Sequence, residues 1–519
     1  MSDSDVAVIA SSLVEAPPLH ARVDGVFLPL SVRQNRIEDV FLDFLRWLRP
    51  ASDRSQESAG SAAAKVDVIW RGLERRPESV RLPSESRKVE LVRKWIRAEL
   101  LIDPRSSNRT TEDSVSILPL HAAVANYFDP PGQPPAYGRF LSELLSRTSS
   151  GFDFELLDDL SDLFSNSGAD PVARLLELAL GDSSTTGEAR FREIASQDRL
   201  VWSEVHAALF QREMRRVLAY RSTVSRRTFV GWLYAVLTFF LSTYFLRMAA
   251  AAQSFSECLE GIFGEERAAW NRDIDSIAYA PRIAYGHRDQ SHSRLLKRFP
   301  FFTSQIEMAR AFARSAGGRP TAPGDLSGLS VALLEARSRV DSDAVFLSAA
   351  ERYPTGGPRT KWKLSETEKG RIISLARESR TEPFVMLTQN LNFEDMARRS
   401  NNVMEWQFYA SLARHQDFGF AQAGRTGDVL RYRMTEHLLV ALAHCHLSAS
   451  PERAATLETF VEYLKELGFE FDGEGRSLLE TQLAELGMLE GLSDASDAKY
   501  LNATYSPAPE SSRAERNAR

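Results

Sequence analysis

The sequence predicts a mainly α, multi-domain helical protein with a long buried central hydrophobic helix and a C-terminal winged helix-turn-helix-like module. Three observations carry this. Apolar residues recur three or four apart through most of the 519 residues, as in Ile37, Val40, Phe41, Phe44, Leu45 and Leu48, which places one apolar stripe on each helix. Period-two alternation is rare, with Asp24–Ser31, Phe384–Thr388 and the stretch from Lys499 to Tyr505 as the exceptions. Thr228–Leu246 is an uncharged run of 19 residues, seven of them aromatic.

At roughly 150 residues per folding unit the length allows about three or four. Stretches rich in Gly, Pro and Ser at Ala51–Ala64, Asp103–Asp113, Phe128–Pro135, Ser315–Ser327 and Ser506–Arg519 mark the boundaries. The expected organisation is an N-terminal tail over 1–25, an α-rich domain over 26–128 and a central helical domain over 136–314. A second helical domain over 328–447, the winged-helix-like module over 448–505 and a disordered tail over 506–519 follow. The first residues, MSDSDVAVIASSLVEAPP, place acidic groups before a short apolar stretch, the wrong order for a secretory or transit signal. Cytoplasmic residence is the expectation.

The uncharged run follows Arg212, Arg215, Arg216, Arg221, Arg226 and Arg227. Its length just meets the bilayer requirement of about 20 residues, and a basic flank suits the positive-inside rule. Ser, Thr, Gly and Tyr interrupt it, Arg247 ends it, and the helical pattern continues to Ile262. The reading preferred is a buried strut from Ser225 to Ile262, on the order of 55 Å at 1.5 Å per residue. Phe140–Leu145, Leu156–Leu163, Val172–Leu180 and Trp202–Val217 are its expected cover. Insertion into a membrane through 228–246 is the alternative.

Near the C-terminus, Thr435–His446, Ala454–Leu467 and Arg476–Leu486 form three short amphipathic helices, followed by a strand, an Asp/Ser turn and a second strand. Residues 451–500 hold 12 acidic and four basic side chains, a net of −8. Duplex DNA demands Lys and Arg to displace condensed counterions, so this module is expected to dock a protein. Leu479, Glu480 and Leu483 on its third helix are the candidate docking residues.

Catalytic motifs are missing from the sequence. YPTGGPRTKW (Tyr353–Trp362) lacks the glycine spacing of a phosphate-binding loop, and it precedes a helix whose S-x-x-E start at Ser365 reads as a cap. GRTGD (Gly424–Asp428) reads as a turn. Neither a dinucleotide fingerprint nor G-x-S-x-G nor H-E-x-x-H occurs. Cys258 and Cys445 are the only cysteines, which excludes a disulfide framework and a four-thiolate zinc site. His437, His444 and His446 with Cys445 are read as incidental. The carboxylates of Phe152–Phe164, namely Asp153, Glu155, Asp158, Asp159 and Asp162, would suit a metal-dependent nuclease if they converged. A solvated helix face with carboxylates near its N-terminus is the simpler reading. No cofactor and no metal is expected.

With 64 basic and 70 acidic residues the chain carries a net −6, so any anionic partner must be met locally. The candidate contacts are Arg215, Arg216, Arg226 and Arg227 before the central helix, then Arg93, Lys94 and Arg97 in a stretch Arg71–Arg97 with nine basic residues against four Glu, then Lys297 and Arg298. Trp95 and Tyr285, interleaved with these charges, could stack on bases. Mixed charge pairs on surface helices are the ordinary alternative.

Three stretches together, Val217–Ala249, Arg431–His444 and Leu486–Tyr505, resemble large helical proteins of prokaryotic anti-phage defence cassettes encoded beside HerA/FtsK-type ATPases. DNA phosphorothioation-dependent restriction and its methylation-associated relatives are such systems, and the similarity is to the G subunit of the former. The resemblance implies a non-enzymatic scaffold or adaptor, partnered by other defence proteins such as the ATPase or a nuclease, and DNA through local basic patches. It carries over no active-site residue.

Overall fold

The computed structural model describes residues 3–15, 37–48, 62–102, 116–127, 136–168, 170–180, 201–264, 269–278, 281–319, 321–322, 324–353, 366–377, 383–390, 411–423, 430–449, 455–491, 499–502 and 504–505. These residues are mostly helical, with a few two- and three-residue strands.

One helix, Arg226–Phe263, organises the rest. Its 38 residues extend about 57 Å. The Ser225 side chain caps it by accepting from the Thr228 amide at 3.1 Å. Inside the helix, the buried Ser242 and Thr243 hydroxyls donate to the carbonyls of Thr238 and Phe239 at 2.7 and 2.9 Å, so neither hydroxyl needs water. The apolar stretch is long enough to cross a membrane by length and composition, and all of it is buried inside the protein.

Aromatic rings identify the cover. Phe240 stacks on Phe210 at 4.9 Å and Phe239 on Phe469 at 5.3 Å, while Tyr234 meets Phe41 edge-on at 5.3 Å and Phe263 lies 4.1 Å from Phe384. Those partners belong to helices Glu204–Leu218, Ile37–Leu48 and Pro383–Asn390 and to the strand Phe469–Glu470. Helices Ser291–Ser315 and Glu436–Ser448 supply the largest share of the remaining cover. Of the expected covering helices, only Glu204–Leu218 is a main contact. Phe140 reaches Tyr244 at 5.1 Å, while the helices Glu155–Ser165 and Pro171–Leu180 pack mainly on other neighbours. Each large side chain buried this way contributes roughly 1.5–3 kcal/mol, and one continuous hydrophobic core runs from Ile9 to Leu501.

Two expectations are corrected. Residues 3–15, placed in an N-terminal tail, form a helix that buries Ile9, Ala10 and Leu13 against the helix Ser342–Arg352. Tyr353 donates to the Leu13 carbonyl at 3.3 Å. Apolar residues three and four apart, Ile9, Ala10 and Leu13 among them, give this short segment one face to bury. Phe384–Thr388, expected as strand, lies in the helix Pro383–Asn390, where Pro occupies the first turn, Phe384 and Leu387 are buried on one face and Thr388 donates to the Phe384 carbonyl. Asp24–Ser31, Ser365, most of Tyr353–Trp362 and Gly424–Asp428 lie outside the described residues.

The C-terminal elements follow the expected order: helices Glu436–Ser448, Leu457–Glu466 and Gly473–Glu485, then an antiparallel pair in register Leu489↔Leu501. They are not a detached unit. Ile283 pairs in parallel with Phe469, Arg247 donates to the Leu467 carbonyl at 2.9 Å, and the Tyr285 hydroxyl bonds to Gln482. Gly475 lies so close that a Cβ there would sit 2.4 Å from the Tyr285 carbonyl oxygen. The third helix therefore turns its apolar face into the body of the protein.

Candidate nucleic-acid interface

The basic residues divide by what lies within reach of them. Arg226 donates to the carbonyls of Leu163 and Asn166 at 2.6 and 2.9 Å, at the C-terminal end of the helix Glu155–Ser165, and lies over the Phe164 ring. Burial lowers its pKa to about 10. Arg227 does the same for the helix Ser86–Leu100, reaching the Ala98 carbonyl at 2.9 Å and the Glu99 carboxylate at 3.1 Å. The last carbonyls of a helix lack intrahelical donors and carry partial negative charge, so a guanidinium satisfies both needs. Arg337 caps the central helix at Ile262 and Gly264 in the same way.

Arg215 pairs with Asp153 at 2.9 Å. Arg216 and Arg212 both hold Glu213, at 2.8 and 2.6 Å. Glu213 is 0% exposed and also accepts from the Tyr463 hydroxyl at 2.7 Å. Burial, together with the Glu213 carboxylate, pushes the Tyr463 and Cys445 pKa values well up, which keeps both groups neutral. The expected anionic contacts Arg215, Arg216, Arg226 and Arg227 are thus engaged inside the chain, because carboxylates and orphan carbonyls stand within reach of each. Arg298 lies over the rings of Phe301 and Phe302, and the neighbouring Lys297 is half-buried. Tyr285, named as a stacking residue, is fully buried.

Leu479 and Leu483, expected to dock a partner, are 0% exposed core residues, and Glu480 pairs with Lys499. They fill the space between the third helix and the body, so no partner can reach them in this fold. The outward side of the module is acidic: Glu458, Glu462, Glu466, Glu470, Glu474 and Glu485 are all exposed.

The helix Ser86–Leu100 is built differently. Only Ile96 and Leu100 are fully buried, and the helix packs on Ala62–Glu74. Arg93 is held by Asp67 at 3.0 Å and lies 5.2 Å over the Trp70 ring. The helix Ala62–Glu74 is itself pressed against Pro171–Leu180, where a Cβ on Gly72 would stand 1.9 Å from the Ala179 carbonyl oxygen. With Arg227 on its last carbonyls and Leu101 paired to Ile117, the helix is anchored along one face and at its end.

Its other face is open. Leu91 is 59% and Trp95 41% exposed, one turn apart. Arg87, Lys88 and Lys94 stand four before, three before and three after Leu91, the positions that surround a residue on a helix surface. Lys88 and Lys94 touch Glu85 and Glu90 at 2.7 and 2.8 Å in exposed pairs, which are worth roughly 0–1 kcal/mol and exchange easily. Arg87 and Arg97 are exposed and enter no salt bridge among the described residues, Arg97 standing about 200° around the helix from Trp95, and Arg75, Arg76 and Arg81 are exposed as well.

The carboxylate stretch lines an open groove of about 1470 Å³ with Glu155, Asp158, Asp159, Asp162 and Asp170, together with Arg221 and Arg226. Among the described residues, no group of three His, Cys, Asp or Glu side chains is arranged to hold a metal. The three histidines also diverge. His444 bonds to the Val440 carbonyl at 2.9 Å, His446 to Thr459 at 3.1 Å, and His437 packs on Phe418. Burial lowers the pKa of His444, and burial with nearby Arg216 lowers that of His446 to about 4. No protein-family model and no curated protein matches the chain.

Proposed function

We propose that the protein is a non-enzymatic scaffold or adaptor that meets nucleic acid through the basic, tryptophan-bearing face of Ser86–Leu100. In this reading it is a subunit of the kind of anti-phage defence complex that its sequence resembles, with the motor or nuclease on other chains. The observation that carries it is the pair Leu91 and Trp95, exposed on a firmly anchored helix with Arg87, Lys88 and Lys94 around Leu91. Cations so placed replace counterions along a phosphate backbone. The acidic outer side of the C-terminal helices, in a winged-helix-like arrangement, would serve a basic protein partner rather than DNA.

The test is fluorescence anisotropy of a labelled oligonucleotide with the full chain and with the triple variant Arg87→Glu, Lys94→Glu, Arg97→Glu. The expected result is at least a tenfold loss of affinity with unchanged circular dichroism and melting. Equal binding by the folded variant would remove the helix from the function. Retention of the native chain in a carbonate-washed membrane pellet would replace this reading with insertion through 228–246.

A further inference from the structure

We infer that the face of Ser86–Leu100 takes single-stranded nucleic acid, with an unstacked base lying on the Trp95 indole and the phosphates running past Arg87, Lys88 and Lys94. This rests on the nucleic-acid reading above and narrows it to one class of ligand.

Among the described residues six large apolar side chains are exposed, and only Leu91 and Trp95 are neighbours on one helix face. The occupant must therefore be anionic at its edges and apolar and flat at its centre. Size decides between the macromolecules that meet this description. A stable protein partner covers about 800 Å² with an apolar middle, and two side chains on one helical turn fall far short. A nucleobase needs only one π-face, and stacking on an aromatic side chain is worth about 1–3 kcal/mol per base without regard to sequence. In a duplex both faces of each base are covered by its neighbours, so an indole standing on a helix surface finds nothing to stack on. A single strand offers the base while keeping the phosphates. Leu91, one turn before Trp95, extends the apolar floor toward the adjoining base. The cations from Arg87 to Lys94 span about 10 Å at 1.5 Å per residue, enough to follow a short run of phosphates. The anchoring of the helix by Arg93 to Asp67 and by Arg227 to the Ala98 carbonyl holds this platform in place before any strand arrives.

The experiment measures anisotropy of a labelled oligothymidine and of a duplex of equal length against the full chain, Trp95→Ala and Trp95→Phe, over a range of salt. The single strand is expected to bind more tightly than the duplex. Trp95→Ala should weaken it by roughly tenfold to a hundredfold, Trp95→Phe should recover most of that, and both should keep the native melting temperature. With about three phosphates met, log K should fall against log salt with a slope near −2, unchanged in Trp95→Ala. Duplex binding as tight as single strand, or native affinity in Trp95→Ala, would overturn the stacking inference and leave the nucleic-acid reading standing. No binding to either form at low salt would sink both. A dimer in sedimentation that Trp95→Ala dissociates would also overturn the inference, because the face would then belong to a second copy.

Discussion

Two arginine-rich stretches of this protein have similar compositions and opposite uses. Between Arg212 and Arg227 the guanidinium groups of Arg212, Arg215, Arg216, Arg226 and Arg227 close helix ends or hold carboxylates, one of which, Glu213, is fully buried. Between Arg71 and Arg97 most of the cations stand in solvent, paired weakly or with no salt bridge among the described residues, and three of them surround Leu91, one turn from an exposed Trp. The lesson is that local charge density does not announce a binding surface. What decides is whether orphan carbonyls and acidic side chains fold to within hydrogen-bond distance.

The comparison can be broken most severely at the central helix, around which the rest of the protein packs. Phe240→Asp would place an unpaired carboxylate against the Phe210 ring in the core, and a loss above about 4 kcal/mol is expected. Urea denaturation or loss of soluble protein reads it, and native-like melting would mean the strut is not a packed core. Next comes Glu213→Ala, which leaves Arg212, Arg216 and Tyr463 without their shared carboxylate. Breaking a buried pair costs about 3–5 kcal/mol, visible as a shift of the urea midpoint.

Smaller effects sharpen the contrast. Arg226→Ala removes two charge-assisted bonds to the ends of the Glu155–Ser165 helix, with about 1.5–3 kcal/mol expected by thermal unfolding. The double change Arg87→Ala, Arg97→Ala should stay within about 0.5 kcal/mol of wild type. If the two arginine groups proved equally costly, the division drawn between them would fail.

Stability should also depend on pH in a definite direction. His206, His292, His444 and His446 have pKa values lowered by burial. The unfolded chain therefore binds protons near the ordinary histidine value, about 6.5, where the folded chain does not. Their stabilising contribution is fully present above that pH and is lost as pH falls toward about 4, the folded value for His446. Urea midpoints at pH 7.5 and pH 5 measure this, and a higher midpoint at pH 5 would contradict it.

Much of the fold was legible because helical periodicity is local. The central helix begins at Ser225, where its expected span starts, and the C-terminal helices and hairpin occur in their expected order. The short tract Phe384–Thr388 misled because a few apolar residues in a row fit either period, and burial against Phe263 and Phe346 settles it as helix. Of the candidate site, Lys94, Arg97 and Trp95 remain on an open face while Arg226, Leu479 and Leu483 do not. Leu479 and Leu483 form the apolar stripe of their helix, and a stripe says that a face is covered without saying by what.

Residue order alone determined that the chain is mainly helical, that one helix is apolar on every side, and that charge is basic near residue 90 and acidic after residue 450, since these follow from side-chain spacing and composition. Only the packed structure decided which cations face solvent, because carbonyls such as that of Leu163 and carboxylates such as Asp153 lie more than 60 positions from the arginines they engage. The free energy of those contacts depends on distance and burial, and both are fixed only when the helices come together.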